Sequence, residues 1–349
     1  MRPNRRLFLG GLAALALPRP SWADAGSPAW LAAAKEGEDY CLHGLSESGE
    51  SLFALPLPAR GHAAAAHPEK PLAVAFARRP GTFALVIDCV TGAETHRFSP
   101  PPGRQFNGHG AFSADGRVLY TSEVVAEGSE GRVGIWETEG FTRMGEYASG
   151  GIGPHDLKLL ADGRLIIANG GIQTDPTDRS KLNIETMRPN LTLISKGGTV
   201  LEQVTLPDLH QASIRHLVLT ATGVAFAMQW EGDPAEVVPL LGHWVPGQAP
   251  EHYAAPEGEA ERMKGYAGSI ARASDGRLAI SSPKGGVVQV FDAQGQFLAT
   301  HARADVCGLA ALGPGFVTSD GAGGICALDE GLRPLAKLDL AWDNHMVAL

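Results

Sequence analysis

The chain has 349 residues, 44% of them apolar, with 44 glycines and 24 prolines. That composition suits one large domain of many short strands and turns, because all-β domains routinely reach this length. A net charge of −9 and a pI near 5.7, with no basic run, exclude an ordinary nucleic-acid-binding role.

At the start, Arg5 and Arg6 precede Leu7-Phe8-Leu9 and an apolar run to Leu17, and Ser21-Trp22-Ala23 follow as a small-residue cleavage site. About 11 apolar residues cannot cross ~30 Å of hydrocarbon, so the stretch reads as a signal peptide. Its pattern resembles the twin-arginine export signal. Residues 1–23 are then a leader, residues 24–349 a single mature domain, and the expected location is the periplasm. That export route carries folded proteins, so a cofactor can be inserted before export. No second apolar stretch is long enough to span a membrane, and the mature chain is expected to have no transmembrane segment.

The body of the chain repeats one unit. In Gly153 to Gly171 a histidine leads a short alternating run, then an Asp162-Gly163 turn and a second apolar run, the pattern of a β-hairpin. Equivalent starts occur at His62, His109, His155, His216, Ser269, Cys307 and His345. Their spacing of roughly 40 to 60 residues is that of propeller repeats. Two further short strands follow each hairpin, such as Gly131 to Glu137 and Met144 to Ser149, which makes four strands per blade. The last start leaves room for one strand only. Trp30 to Ala34, Asp39 to Leu45 and Leu52 to Leu57 can supply the other three and close the ring without an open edge. The predicted fold is all-β, a seven-bladed β-propeller of four-stranded blades closed by one C-terminal strand joining N-terminal strands.

Cys41, Cys89 and Cys326 fall in predicted third strands and read as small buried hydrophobes; no essential disulfide is expected. Cys307 stands where other blades carry histidine. The segment from Gly170 to Asn190 is a long insertion between a second and third strand, with one helical turn expected over Leu182 to Met187. Glu231 to Trp244 and Val124 to Gly131 are longer connections at the same place in neighbouring blades.

Meander topology places the starts of first strands and the second-to-third loops on one face, around the mouth of the central channel. His62, His109, His155, His216 and His345 then form an arc over five consecutive blades. Neutral imidazole suits iron, copper or zinc, which need several nitrogens at about 2.0–2.2 Å. Neighbouring blades can bring two or three rings together, whereas opposite sides of the channel are not expected to meet. Asp156 is a candidate outer acceptor for a ligating ring. Arg104, Asn107, Glu123, Asn169, Arg215, Gln229, Trp230 and Cys307 are candidates for the rim. Gly108 and Gly110 flank His109 and permit close approach by backbone or ligand. An organic or anionic ligand at the same mouth, or a purely structural ring of histidines, remains open on these residues alone. His43, His96 and His301 are expected in outer, solvated positions, and His243 in a loop. Nucleophile elbows, phosphate loops and zinc-protease motifs are all missing from the sequence, and a propeller does not name a chemistry.

The twin-arginine leader, the Arg104 to Gly110 approach to His109, the Gly153 to Gly171 hairpin and Ser213-Ile214-Arg215-His216-Leu217 together resemble a family of exported bacterial propellers of unknown function. That family is often encoded near imelysin-type, iron-regulated periplasmic proteins. The resemblance spans essentially the mature chain. It implies a seven-bladed fold, a periplasmic address and a link with metal uptake, iron first, through a periplasmic metal-uptake partner. More distantly the repeats are similar to surface-layer and nitrous-oxide-reductase-type propellers. The leading expectation is a metal-handling propeller using the histidine arc. The alternatives are a protein-docking scaffold, or an oxidoreductase or hydrolase working at the same mouth.

Overall fold

In a computed structural model that describes residues 20–78 and 82–349, seven four-stranded antiparallel sheets stand in a ring, each one blade. Their innermost strands are Gly61–Ala66, Arg104–Phe112, Pro154–Leu159, Ala212–Leu219, Ser269–Arg272, Val306–Leu312 and Ala341–Ala348. Numbered blades 1 to 7 in that order, consecutive innermost strands touch all the way round, blade 7 against blade 1. Blade 7 is composite. Ala341–Ala348 pairs with Trp30–Glu36, which carries Asp39–Leu45 and Ser51–Leu57 outside it, as the sequence predicts. The expected leader lies outside the described residues up to residue 19; Trp22–Ala25 at its end form a 3-10 turn.

The strand patterns follow from position. Middle strands such as Leu165–Asn169, Leu278–Ser282 and Gly324–Leu328 are buried at every residue, because neighbouring blades cover both of their faces. This gives continuous apolar runs in place of alternation, as for any sheet buried on two sides. The outer strand Val200–Thr205 has no such cover and is exposed or half-exposed throughout. The core therefore lies between blades. Phe226 and Trp244 of blade 4 pack with Ile166, Leu191 and Leu193 of blade 3, all fully or almost fully buried. Burial of each such side chain is worth about 1.5–3 kcal/mol. The hairpin turns behave as read: Gly163 has φ +82° and Asp162 Oδ1 accepts from the Arg164 amide at 3.0 Å.

Several local expectations are corrected. Cys89 lies just past its strand, Ala84–Asp88. It is nonetheless buried and free like the other three cysteines, as expected. His43 is 1% exposed rather than solvated, because it packs edge-on to Trp342 at 5.2 Å and bonds Ser51 Oγ at 2.9 Å. His243 sits in the strand Leu241–Trp244, and its Nε2 meets Thr220 Oγ1 at 2.9 Å, beside the hairpin turn on the face opposite the mouth. Among the described residues no helix is long and apolar enough to cross a membrane.

Candidate functional site

Each histidine of the arc sits at an irregularity of its innermost strand. Pairing slips between Gly61 and Ala64, Phe106 and Gly110, Pro154 and Asp156, and Ile214 and His216. In blade 7 it skips from Trp342 to Met346. These slips enclose or adjoin His62, His109, His155, His216 and His345. A bulge bends its strand and re-aims a side chain, here from the sheet face into the channel. Blade 5 pairs regularly from Ser269 onward, and blade 6 has a slip around Cys307.

The five rings converge. His62 lies 4.4 Å from His345, 5.0 Å from His109 and 5.5 Å from His155, centroid to centroid. His155 and His216 are 4.7 Å apart, and so are His216 and His345. His216 and His345 belong to blades 4 and 7, so rings do meet across the channel, contrary to the expectation from blade order. Blades 5 and 6 contribute no imidazole, and the arc folds in toward the space they leave. Two triads, His62–His109–His345 and His109–His155–His216, each bring three ring nitrogens within 4.8 Å of one another.

Burial sets the charge state. It pushes His62, His109, His155 and His216 well below the usual imidazole value, with repulsion from neighbouring histidines and from cations such as Arg215 adding to it. His345 falls to about 4, burial again dominating while Asp343 and Asp156 oppose it. All five are neutral at pH 7 and keep a lone pair. His109 Nδ1 faces Asp156 Oδ1 at 3.5 Å, while its Nε2 is enclosed and has no partner. His62 Nδ1 and His155 Nδ1 are likewise enclosed and unpartnered. Asp156 is fixed by the Leu157 and Leu217 amides at 2.8 and 2.9 Å and by Lys158 at 3.1 Å.

The cluster divides the channel. On the mouth side lies a pocket of about 200 Å³ that Arg78, Arg179, Lys181 and Arg215 line together with His62 and His155. On the far side lies a cavity of about 330 Å³ reached by His109, Asp156, Lys158 and the small residues of blades 5 and 6. His216 and His345 border both.

Of the rim candidates, Asn107, Arg215 and Gln229 line the mouth pocket, and Arg215 Nε donates to Gln229 Oε1 at 3.3 Å. Trp230 lines a separate pocket of about 520 Å³ beside the blade 4 loop. The others are engaged elsewhere. Arg104 reaches outward across its own blade to Glu146 at 2.8 Å. Glu123 is completely buried against Arg143, with both oxygens at 2.9 Å. Asn169 bonds Ser149, Asn190 and Thr192 between blades 2 and 3. Cys307 packs with Trp30, Trp342 and Met346, and burial raises its thiol to about 12. Arg179, Lys181, Tyr266, Asn344 and Lys158 carry no local sequence signal and enter only through the fold. The insertion delivers the first two, because it is tied to blade 2 by Gln105–Pro176 at 3.2 Å and to blade 4 by the Lys181–Glu231 ion pair.

Seven four-stranded blades in a ring define the class: a seven-bladed β-propeller, here with a histidine cluster below a cationic channel mouth. The chain belongs to the family described as proteins of unknown function (DUF1513), which matches residues 55–349. No curated protein matches it by sequence. Among solved structures it is similar to the WD40 repeats of RRP9, at 13% identity and a TM-score of 0.61, over 83% of this chain and 84% of that one. It is also similar to a streptogramin B lyase, at 14% identity and a TM-score of 0.59, over 80% and 83%. U3-55K resembles it at 13% identity and 0.60, over 81% and 83%. At such identities the likeness is one of fold alone.

Proposed function

We propose that the protein binds a transition-metal ion in the histidine cluster, as a periplasmic metal-handling propeller and an accessory to iron uptake. The observation that carries this reading is His109. Its Nδ1 is directed at Asp156, which leaves Nε2 as an enclosed lone pair on the one ring common to both histidine triads. A carboxylate behind a ligating imidazole fixes the tautomer and raises its basicity. Leaving a buried polar nitrogen unpaired costs about 1–3 kcal/mol, a cost that a metal ion on His109 Nε2 would relieve; His62 Nδ1 and His155 Nδ1 are unpaired in the same way. An all-imidazole donor set suits iron, copper or zinc. The periplasmic address and the metal-uptake partner rest on the leader and on the family resemblance.

The test is elemental analysis of protein purified from the periplasm and of the apoprotein reconstituted with iron, copper and zinc, beside His109→Ala/His155→Ala. Stoichiometric metal that the double variant loses while still melting cooperatively supports the reading. Metal-free protein after reconstitution overturns it and favours a docking scaffold.

A further inference from the structure

We infer that the mouth pocket is a binding site for a small polycarboxylate, a di- or tricarboxylate anion, seated directly above the histidine cluster. The protein as a whole carries a net charge of −9, yet this pocket collects Arg78, Arg179, Lys181 and Arg215. The carboxylates that act on Arg78 and Arg215 are already engaged: Asp343 holds Arg60 at 2.7 Å, and Glu231 pairs with Lys181. Arg78 and Arg179 form no ion pair among the described residues. Each guanidinium is pushed down by burial and then by its cationic neighbours, Arg60 for Arg78 and Arg215 for Arg179. Like charges assembled without a counter-ion cost energy that an anion recovers on binding. Arg179 is, in addition, a non-glycine residue at φ +66°, where its backbone N–H donates a hydrogen bond to the Asp175 carbonyl oxygen at 3.1 Å. Such strain is kept at sites whose surroundings impose it.

The shape selects the anion. No aliphatic side chain lines the pocket; apart from the Tyr266 ring its lining is guanidinium, ammonium, amide and imidazole groups, which favours a polar ligand. Guanidinium groups on separate elements, the insertion and two blades, suit several carboxylates gripped at once, each by a forked contact. A cavity of about 200 Å³ is roughly seven water volumes at about 30 Å³ each. That exceeds a phosphate and fits a small polycarboxylate. The pocket is open independently of the metal reading, so anion binding is expected in the metal-free protein.

Calorimetric titration of metal-free protein at pH 7.5, with citrate, malate and inorganic phosphate as probes, is the test. A saturable polycarboxylate isotherm is expected, weakening steeply with salt and weakening about tenfold or more in Arg78→Gln and in Arg179→Gln. Exposed Arg333→Gln, on an outer strand, should leave it unchanged. Without ligand, the two mouth variants should melt at or above the parent temperature, since each removes a repelled charge. Absence of heat for every probe, phosphate binding alone, or equal loss in Arg333→Gln overturns the inference. Because no metal is present, failure here is separate from failure of the histidine site.

Discussion

His62 and His345, separated by 283 positions in the chain, face each other Nε2 to Nε2 at 3.3 Å. The strand that closes the ring therefore also completes the cluster. One strand thus serves both closure of the ring and the cluster, and mutation can separate the two roles. Deleting residues 341–349 removes the partner of Trp30–Glu36 and exposes that edge. The expected outcome is loss of the cooperative melt, followed by light scattering to detect association. His345→Gln keeps the strand, so it should melt cooperatively yet bind metal more weakly.

Acid should unfold the metal-free protein early. An unfolded imidazole titrates near 6.5, whereas the five clustered rings sit below that, His345 at about 4. As the pH falls through about 6.5, the unfolded chain takes up protons that the native cluster refuses, so stability drops with falling pH. The contribution is fully present above about pH 7 and fades toward about pH 4. Each group weighs up to ~1.4 kcal/mol per pH unit in that window. Urea midpoints measured between pH 7.5 and 5 should therefore fall steeply, and His216→Asn should flatten the slope. A flat profile in the parent would mean that the rings accept protons where they lie.

Asp156→Asn tests the orientation of His109. The amide still offers an oxygen to the Leu217 amide, so the strand should hold, but the negative charge beside His109 is lost. Removing such an outer carboxylate typically costs 10–100-fold in metal affinity. Competition with a chelator of known affinity should show a loss of that size, with a melting temperature within a few degrees of the parent.

Much of the ring was legible because a propeller writes itself locally. Strand starts recur, turns such as Asp162-Gly163 mark the hairpins, and the incomplete last repeat points to Trp30, Asp39 and Leu52 for its missing strands. What a strand end does not reveal is the direction of its side chain. Glu123 and Asn169 end second strands on the mouth face, yet one turns inward to Arg143 and the other to Ser149 and Asn190. Ring contact across the channel was hidden for a related reason: the bulges that swing His216 and His345 together are defects of pairing with no local signature. Arg179 and Lys181 lie in an insertion whose course is set by distant contacts to Gln105 and Glu231.

Gly108 offers the sharpest test of how closely the cluster is packed. Its φ is +93°, a region that disfavours any side chain, and a Cβ there would lie 2.4 Å from His62 Cδ2. His62 is in turn held between His109 and His345 and cannot yield freely. Gly108→Ala combines backbone strain with a clash, so a destabilisation of about 1–3 kcal/mol is expected. Metal content should fall with it, because the displaced ring belongs to one of the triads. Gly145→Ala is the control: a Cβ there meets nothing within 4 Å, and the variant should melt like the parent with full metal. Equal behaviour of the two variants, by calorimetry and by elemental analysis, would show that His62 has freedom to move and that the cluster tolerates its displacement.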